Sequence, residues 1–84
     1  MTIAFTSEAF ESFTEWSIDD KQIYKKIVSL IIDICREPFT GIGKPEPLKH
    51  DLSGCWSRRI TAEHRLVYTV EKDTVKIISC KYHY

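Results

Sequence analysis

The residues of this chain that could do chemistry lie in its second half. Glu46 stands between two prolines with Lys44 close by, Lys49, Arg58, Arg59 and Arg65 form a basic set, and His83 and Tyr84 form a pair. A carboxylate can accept a proton, an imidazole can give one near neutral pH, and guanidinium or ammonium groups can stabilise an anion. These are candidates for each role in cutting RNA without a metal. In that reaction the ribose 2′-hydroxyl attacks the adjacent phosphorus. One group takes the hydroxyl proton, another protonates the departing 5′-oxygen, and cations balance the charge on phosphorus.

Each candidate also has an ordinary reading. Glu46 in Lys44-Pro45-Glu46-Pro47 is either a carboxylate held by a stiff loop or a solvated acid in a proline turn, since both prolines restrict the local backbone. Arg65 opens a strand, where it either grips a phosphate through two parallel hydrogen bonds or guards a sheet edge. His83 is either a proton donor or a frayed terminal side chain. Tyr82, Tyr84 and Trp56 could stack on unpaired bases, although packing is the expected role of Trp56 and Tyr82.

Other chemistries have weaker support. Cys80 and His83 have C-x-x-H spacing, but with His50 and His64 they match no common zinc pattern, so no metal is expected. There is no phosphate-cradling glycine loop and no G-x-S-x-G, and no cofactor is expected. Cys35 lies in an apolar helical run and has no reason to be a nucleophile.

The elements that must position these groups read as an α+β chain. Residues 2–6 are β-branched and apolar, the mark of a first strand. Ser7 is the expected cap of a helix running to about Trp16, with Phe10, Phe13 and Trp16 at helical spacing. Asp19, followed by Gln22, is the expected cap of a second helix. Its apolar stripe is Ile23, Ile27, Leu30, Ile31 and Ile34, and it ends at Glu37-Pro38. Residues 38–47 hold two glycines and three prolines, which argues against regular structure. Strands are expected at 48–52, 55–61, 65–70 and 74–80, the last two joined by a tight turn at Lys72-Asp73. The result is an N-terminal strand and a two-helix hairpin packed on an antiparallel sheet of about four to five strands.

That hairpin carries a geometric condition. A two-residue loop at Lys72-Asp73 with regular strands would set Arg65 opposite Cys80 and turn His83 to the other sheet face. A site shared by Arg65 and His83 therefore requires a bulge, an odd loop or a bent tail.

The totals bound the reading. At 84 residues, 43% hydrophobic and 29% charged, residues 1–84 are expected to form one domain. No apolar run reaches membrane length and no secretory signal opens the chain, so no membrane association and a cytoplasmic location are expected. Three cysteines, an odd number, fit reduced thiols. Net charge is zero but uneven. Residues 1–37 carry seven acids and four bases (−3), and residues 38–84 five acids and eight bases (+3). The basic half is compatible with a polyanion-binding face or with a mild surface dipole.

The stretch GKPEPLKHDLSGCWSRRITAEHRLVY (43–68) and the ending KYHY (81–84) resemble the YoeB toxins of the RelE/ParE superfamily, and the likeness covers nearly the whole chain. It implies a RelE-like fold similar to microbial ribonucleases. It also implies a type II toxin–antitoxin system, ribosome-dependent cleavage of mRNA in the A site among 16S rRNA surroundings, and inhibition of translation. By the same resemblance Glu46 matches the general base, Arg65 the transition-state cation, His83 the general acid and Tyr84 a substrate-orienting ring. Lys49 and Arg59, with Lys44 nearby, match the phosphate-binding set. A YefM-type antitoxin is the implied partner, and family members form homodimers. Cys55 departs from the family pattern, which has an aromatic residue there. Two rival readings are a gyrase-inhibiting relative, which should lack the acid and base, and a small RNA-binding module without catalysis.

Overall fold

The computed structural model describes residues 1–83. Its elements are β1 (Thr2–Phe5), α1 (Ser7–Asp19), α2 (Lys21–Arg36), β2 (Glu46–Pro47), β3 (Trp56–Arg59), β4 (His64–Glu71) and β5 (Thr74–His83), with a 3₁₀ turn at His50–Leu52. The strands form one sheet in the order β1-β5-β4-β3-β2. The sheet is mixed rather than wholly antiparallel, because β1 runs parallel to β5. A parallel pair needs a long crossover connection, and the helix hairpin provides the way out of β1.

The helix boundaries differ from the sequence expectation by small shifts with a local cause. Thr6, not Ser7, caps α1, its hydroxyl accepting from the amide of Ala9 at 3.1 Å. Asp20, not Asp19, caps α2, accepting from the amides of Gln22 and Ile23. Its own N–H donates to the Trp16 carbonyl at 3.0 Å, so one extended residue closes α1 and opens α2. Continuation of α1 to Asp19 moves the cap by one position. Helix α2 ends at Arg36 with Glu37 extended ahead of Pro38, as expected for a residue before proline.

The α2 stripe is buried as its spacing predicts: Ile27, Leu30, Ile31 and Ile34 pack with Leu66, Tyr68, Val75, Ile77 and Cys80 from the sheet. All three cysteines are free thiols. Burial pushes the Cys80 thiol up to about 12, leaving no thiolate at neutral pH. No helix among the described residues is long and apolar enough to cross a membrane.

The segment 48–52 is a turn, not the expected strand. The strand pairing falls two residues earlier, at the end of the proline- and glycine-rich stretch expected to hold no regular structure, with Glu46 opposite Ser57 and Pro47 opposite Trp56. Proline is tolerated there because β2 is the sheet edge. His50 then takes a left-handed backbone (φ 59°), which breaks any extended run.

Arg58 is fully buried, which removes it from the solvent-facing basic set. Alternation places it with Trp56 and Ile60 toward the helices. Its guanidinium pairs with Asp33 of α2 and donates to the carbonyls of Glu37 (2.7 Å), Thr40 (2.9 Å) and Ile42 (3.1 Å) and to the Tyr68 hydroxyl (3.2 Å). The loop after α2 is thus wrapped around one cation. Gly41 (φ 124°) fits against that pair, since a Cβ there would lie 2.1 Å from Asp33 Oδ2.

The Arg58 hydrogen bond, with help from the Ile42 amide, holds the Asp33 carboxyl below its ordinary value of 3.8 against the opposing effect of desolvation. A depressed carboxyl contributes stability above its unfolded pKa and loses it as pH falls through the folded one. The thermal midpoint of the protein is therefore expected to drop below about pH 4. Asp33→Asn is expected to be less stable at neutral pH and to show a shallower acid fall. An equal acid slope in the two proteins would show that other carboxylates control it.

Candidate active site

The face of the sheet away from the helices carries the candidate site. Glu46, Ser57, Arg59 and Arg65 share this face through the pairs Glu46–Ser57 and Arg59–Arg65. Leu66 and Tyr68, next in alternation, point into the helix-side core. Arg65 is 7% exposed. Its Nη1 donates to Glu46 Oε1 at 2.8 Å and to Ser57 Oγ at 3.4 Å. A buried guanidinium needs such partners. The Glu46 side chain remains 45% exposed, which leaves this carboxylate accessible from solvent.

A cavity of about 430 Å³ opens beside the pair and is lined by Glu46, Pro47, Lys49, His50, Leu52 and Tyr82, among others. Lys49 thus stands on the same cleft as Glu46. Arg59 is exposed and lies directly across the ladder from Arg65. Like charges in that relation repel, and an anion bound between them would relieve the repulsion. Lys44, exposed and in left-handed backbone (φ 52°), sits two residues before Glu46 and is not among the cleft-lining residues.

His83 is placed elsewhere. Of the three devices that could bring His83 to Arg65 (a bulge, an odd loop or a bent tail), the hairpin has bulges, but it has two and they leave His83 on the other face. Pairing runs from Glu71–Thr74 to Tyr68–Ile77, shifts to Val67–Ser79, and shifts again to Arg65–Tyr82 and His64–His83. Two insertions restore the original parity, so Tyr82 rather than His83 shares the face of Arg65. Both shifts are held from the α1 side. The Thr6 hydroxyl donates to the Ile78 carbonyl at 3.3 Å, and Trp16 Nε1 donates to the Cys80 carbonyl at 3.1 Å. His83 lies edge-on to His64, ring centres 6.1 Å apart, and His64 in turn meets Trp16 on the helix side. The imidazole is 71% exposed and 3.7 Å from a Glu63 carboxylate oxygen. Tyr84 lies outside the described residues.

The structure therefore brings Glu46, Arg65, Lys49 and Arg59 to one face and leaves His83 on the opposite face of the sheet, beside His64. Tyr82, expected to pack, instead lines the cleft. Its place depends on the bulge count, which no local signal reveals. Trp56 does pack, its ring 4.8 Å from that of Phe39. Among the described residues no group of three or more His, Cys, Asp or Glu side chains is disposed to hold a metal ion.

Residues 5–84 match the family described as YoeB-like toxin of bacterial type II toxin-antitoxin system. The chain is 55% identical, over the full length of both, to Toxin YoeB of Escherichia coli strain K12. Two solved structures from Staphylococcus aureus, each 50% identical, cover all of this chain with 98% of theirs. They are a YoeB dimer (TM-score 0.94) and a heterotetrameric YoeB-YefM toxin-antitoxin complex (TM-score 0.92).

Proposed function

Because the chain belongs to the YoeB-like toxins of bacterial type II toxin–antitoxin systems, we propose that it is an endoribonuclease that cuts mRNA in the ribosomal A site without a metal and so stops translation. The observation that carries this reading is the contact between the accessible Glu46 carboxylate and the buried Arg65 guanidinium, 2.8 Å apart, in a cleft that Lys49 also lines.

Glu46 takes the proton of the 2′-hydroxyl as that oxygen bonds to phosphorus. Arg65 and Lys49 stabilise the five-coordinate phosphorus, and Arg59 adds positive charge on the same face. The bond to the 5′-oxygen breaks, and this oxygen leaves with a proton. The products are a 2′,3′-cyclic phosphate and a 5′-hydroxyl.

His83 is the proposed donor of the leaving-group proton. To serve it must leave His64 and turn about Tyr82 onto the Arg65 face. The side-chain contacts that hold it outside, a Glu63 carboxylate oxygen at 3.7 Å and a ring edge, are exposed and of a kind worth at most about 1 kcal/mol, but the terminal ladder pair His64–His83 must also open for the imidazole to change face. Tyr84 is the proposed substrate-orienting ring, and Lys44 a distant contributor to the basic approach. The ribosome supplies the remaining requirement, a strand bent so that the 2′-oxygen, phosphorus and 5′-oxygen fall in line. A YefM-type antitoxin is the proposed inhibitor and a second copy of the chain a proposed partner, as in the Staphylococcus aureus assemblies.

The deciding experiment uses ribosomes programmed with mRNA that carries a single 2′-deoxy nucleotide on the 5′ side of the cut. Normal mRNA should be cleaved and the deoxy form left intact. Cleavage of the deoxy form would rule out 2′-hydroxyl attack and with it the role of Glu46.

A further inference from the structure

Building on the ribonuclease reading, we infer that the cleft contains a nucleobase subsite in which the Tyr82 ring is the stacking platform for a base next to the cut phosphodiester. Tyr82 stands directly across the ladder from Arg65, so their side chains leave the sheet on the same side. The ring is half-buried and lines the 430 Å³ cavity together with Glu46, a volume within the range of small-ligand sites.

The rest of the cavity has the chemistry of a nucleotide. Pro47, Leu48 and Leu52 give it apolar wall, Lys49 stands ready for a phosphate, and Glu46 with Arg65 marks the end where the ribose reacts. The other aromatic side chains of the described residues are engaged within the protein. Phe5, Phe10, Phe13 and Tyr24 meet one another, Trp16 meets His64 and Lys81, Phe39 meets Trp56, and Tyr68 binds Arg58. Among the described residues the Tyr82 side chain makes no hydrogen bond or ring contact of this sort. A base stacked on it would cover an aromatic face that the fold leaves to the cleft, and stacking tolerates any base because each has a π face.

The test is a double perturbation. Full-length toxin freed of antitoxin is given, in single turnovers, ribosomes programmed with mRNA that is intact or carries one abasic ribose at a position flanking the cut. Wild type should lose about 5- to 150-fold in rate at one abasic position. Tyr82→Ala should lose a similar factor on intact mRNA and nothing further on the abasic form, while Tyr82→Phe keeps the wild-type rate. Tyr82→Leu, which preserves a strand-compatible apolar side chain, guards against simple unfolding and should behave as Tyr82→Ala does. Losses that multiply instead of merging would overturn the subsite. So would rates insensitive to Tyr82 with only antitoxin capture altered, which would assign the ring to protein recognition. If wild type cuts no programmed mRNA at all, the ribonuclease reading falls and the subsite falls with it. If wild type cuts but Tyr82 and the base do not couple, the subsite alone falls.

Discussion

Replacing Glu46 by glutamine is expected to lower the rate of mRNA cleavage on the ribosome by about 10²- to 10⁴-fold, the usual contribution of a positioned general base. The substitution is close to isosteric, and the amide oxygen of glutamine can still accept the hydrogen bond that Arg65 now donates at 2.8 Å. Arg65 is then not left as a buried unpaired charge, and the fold should persist. The glutamate side chain is 45% exposed, so little packing is at stake. What is lost is the capacity to take a proton. The measurement is single-turnover cleavage of programmed ribosomes beside growth arrest on expression, with the thermal midpoint as control. A variant that folds normally and cleaves within a few-fold of wild type would show that the base lies elsewhere.

Replacing Arg58 by methionine is expected to destabilise the protein by about 3–5 kcal/mol, the cost of removing one member of a buried ion pair. For a domain of this size that is a fall of roughly 12–40 °C in the thermal midpoint. The guanidinium serves Asp33, the Tyr68 hydroxyl and the carbonyls of Glu37, Thr40 and Ile42 at once. Methionine fills similar space but satisfies none of them, and partly buried acceptors left without a donor are costly. Lysine should fare poorly too, because one ammonium cannot span acceptors spread around a planar fork. The damage should extend to activity. The loop that Arg58 organises runs through Gly43, whose carbonyl accepts from the Arg59 amide at 2.7 Å, directly into Lys44-Pro45-Glu46. Urea unfolding of the variant gives the check, and a loss below about 1 kcal/mol would mean that water replaces the guanidinium without difficulty.

Both expectations depend on one chain of support. Asp33 in α2 holds Arg58, Arg58 holds the loop, and the loop delivers Glu46 to the sheet edge opposite Ser57. Arg65 then meets Glu46 from β4. The charged groups that build the fold and those assigned to chemistry are neighbours in sequence, at 58 and 59, yet lie on opposite faces.

Much of this could be read from the residues in order. The α2 stripe, its end before Pro38, the tight turn at Lys72-Asp73 and the side-chain alternation of β3 follow from local backbone and burial rules, which act within a few residues. The same rules pointed to Glu46 and Arg65 as groups able to work together and to a bulge, an odd loop or a bent tail in the last hairpin. Local rules say that side chains alternate, but not how many times the ladder slips. That number was decided in three dimensions, where Thr6 and Trp16, more than sixty positions away in sequence, donate hydrogen bonds to the freed carbonyls of Ile78 and Cys80. Two slips instead of one put Tyr82 in the cleft and His83 outside it. The partner of Arg58, 25 residues upstream, was hidden for the same reason. An ion pair between distant segments leaves no periodic trace in either.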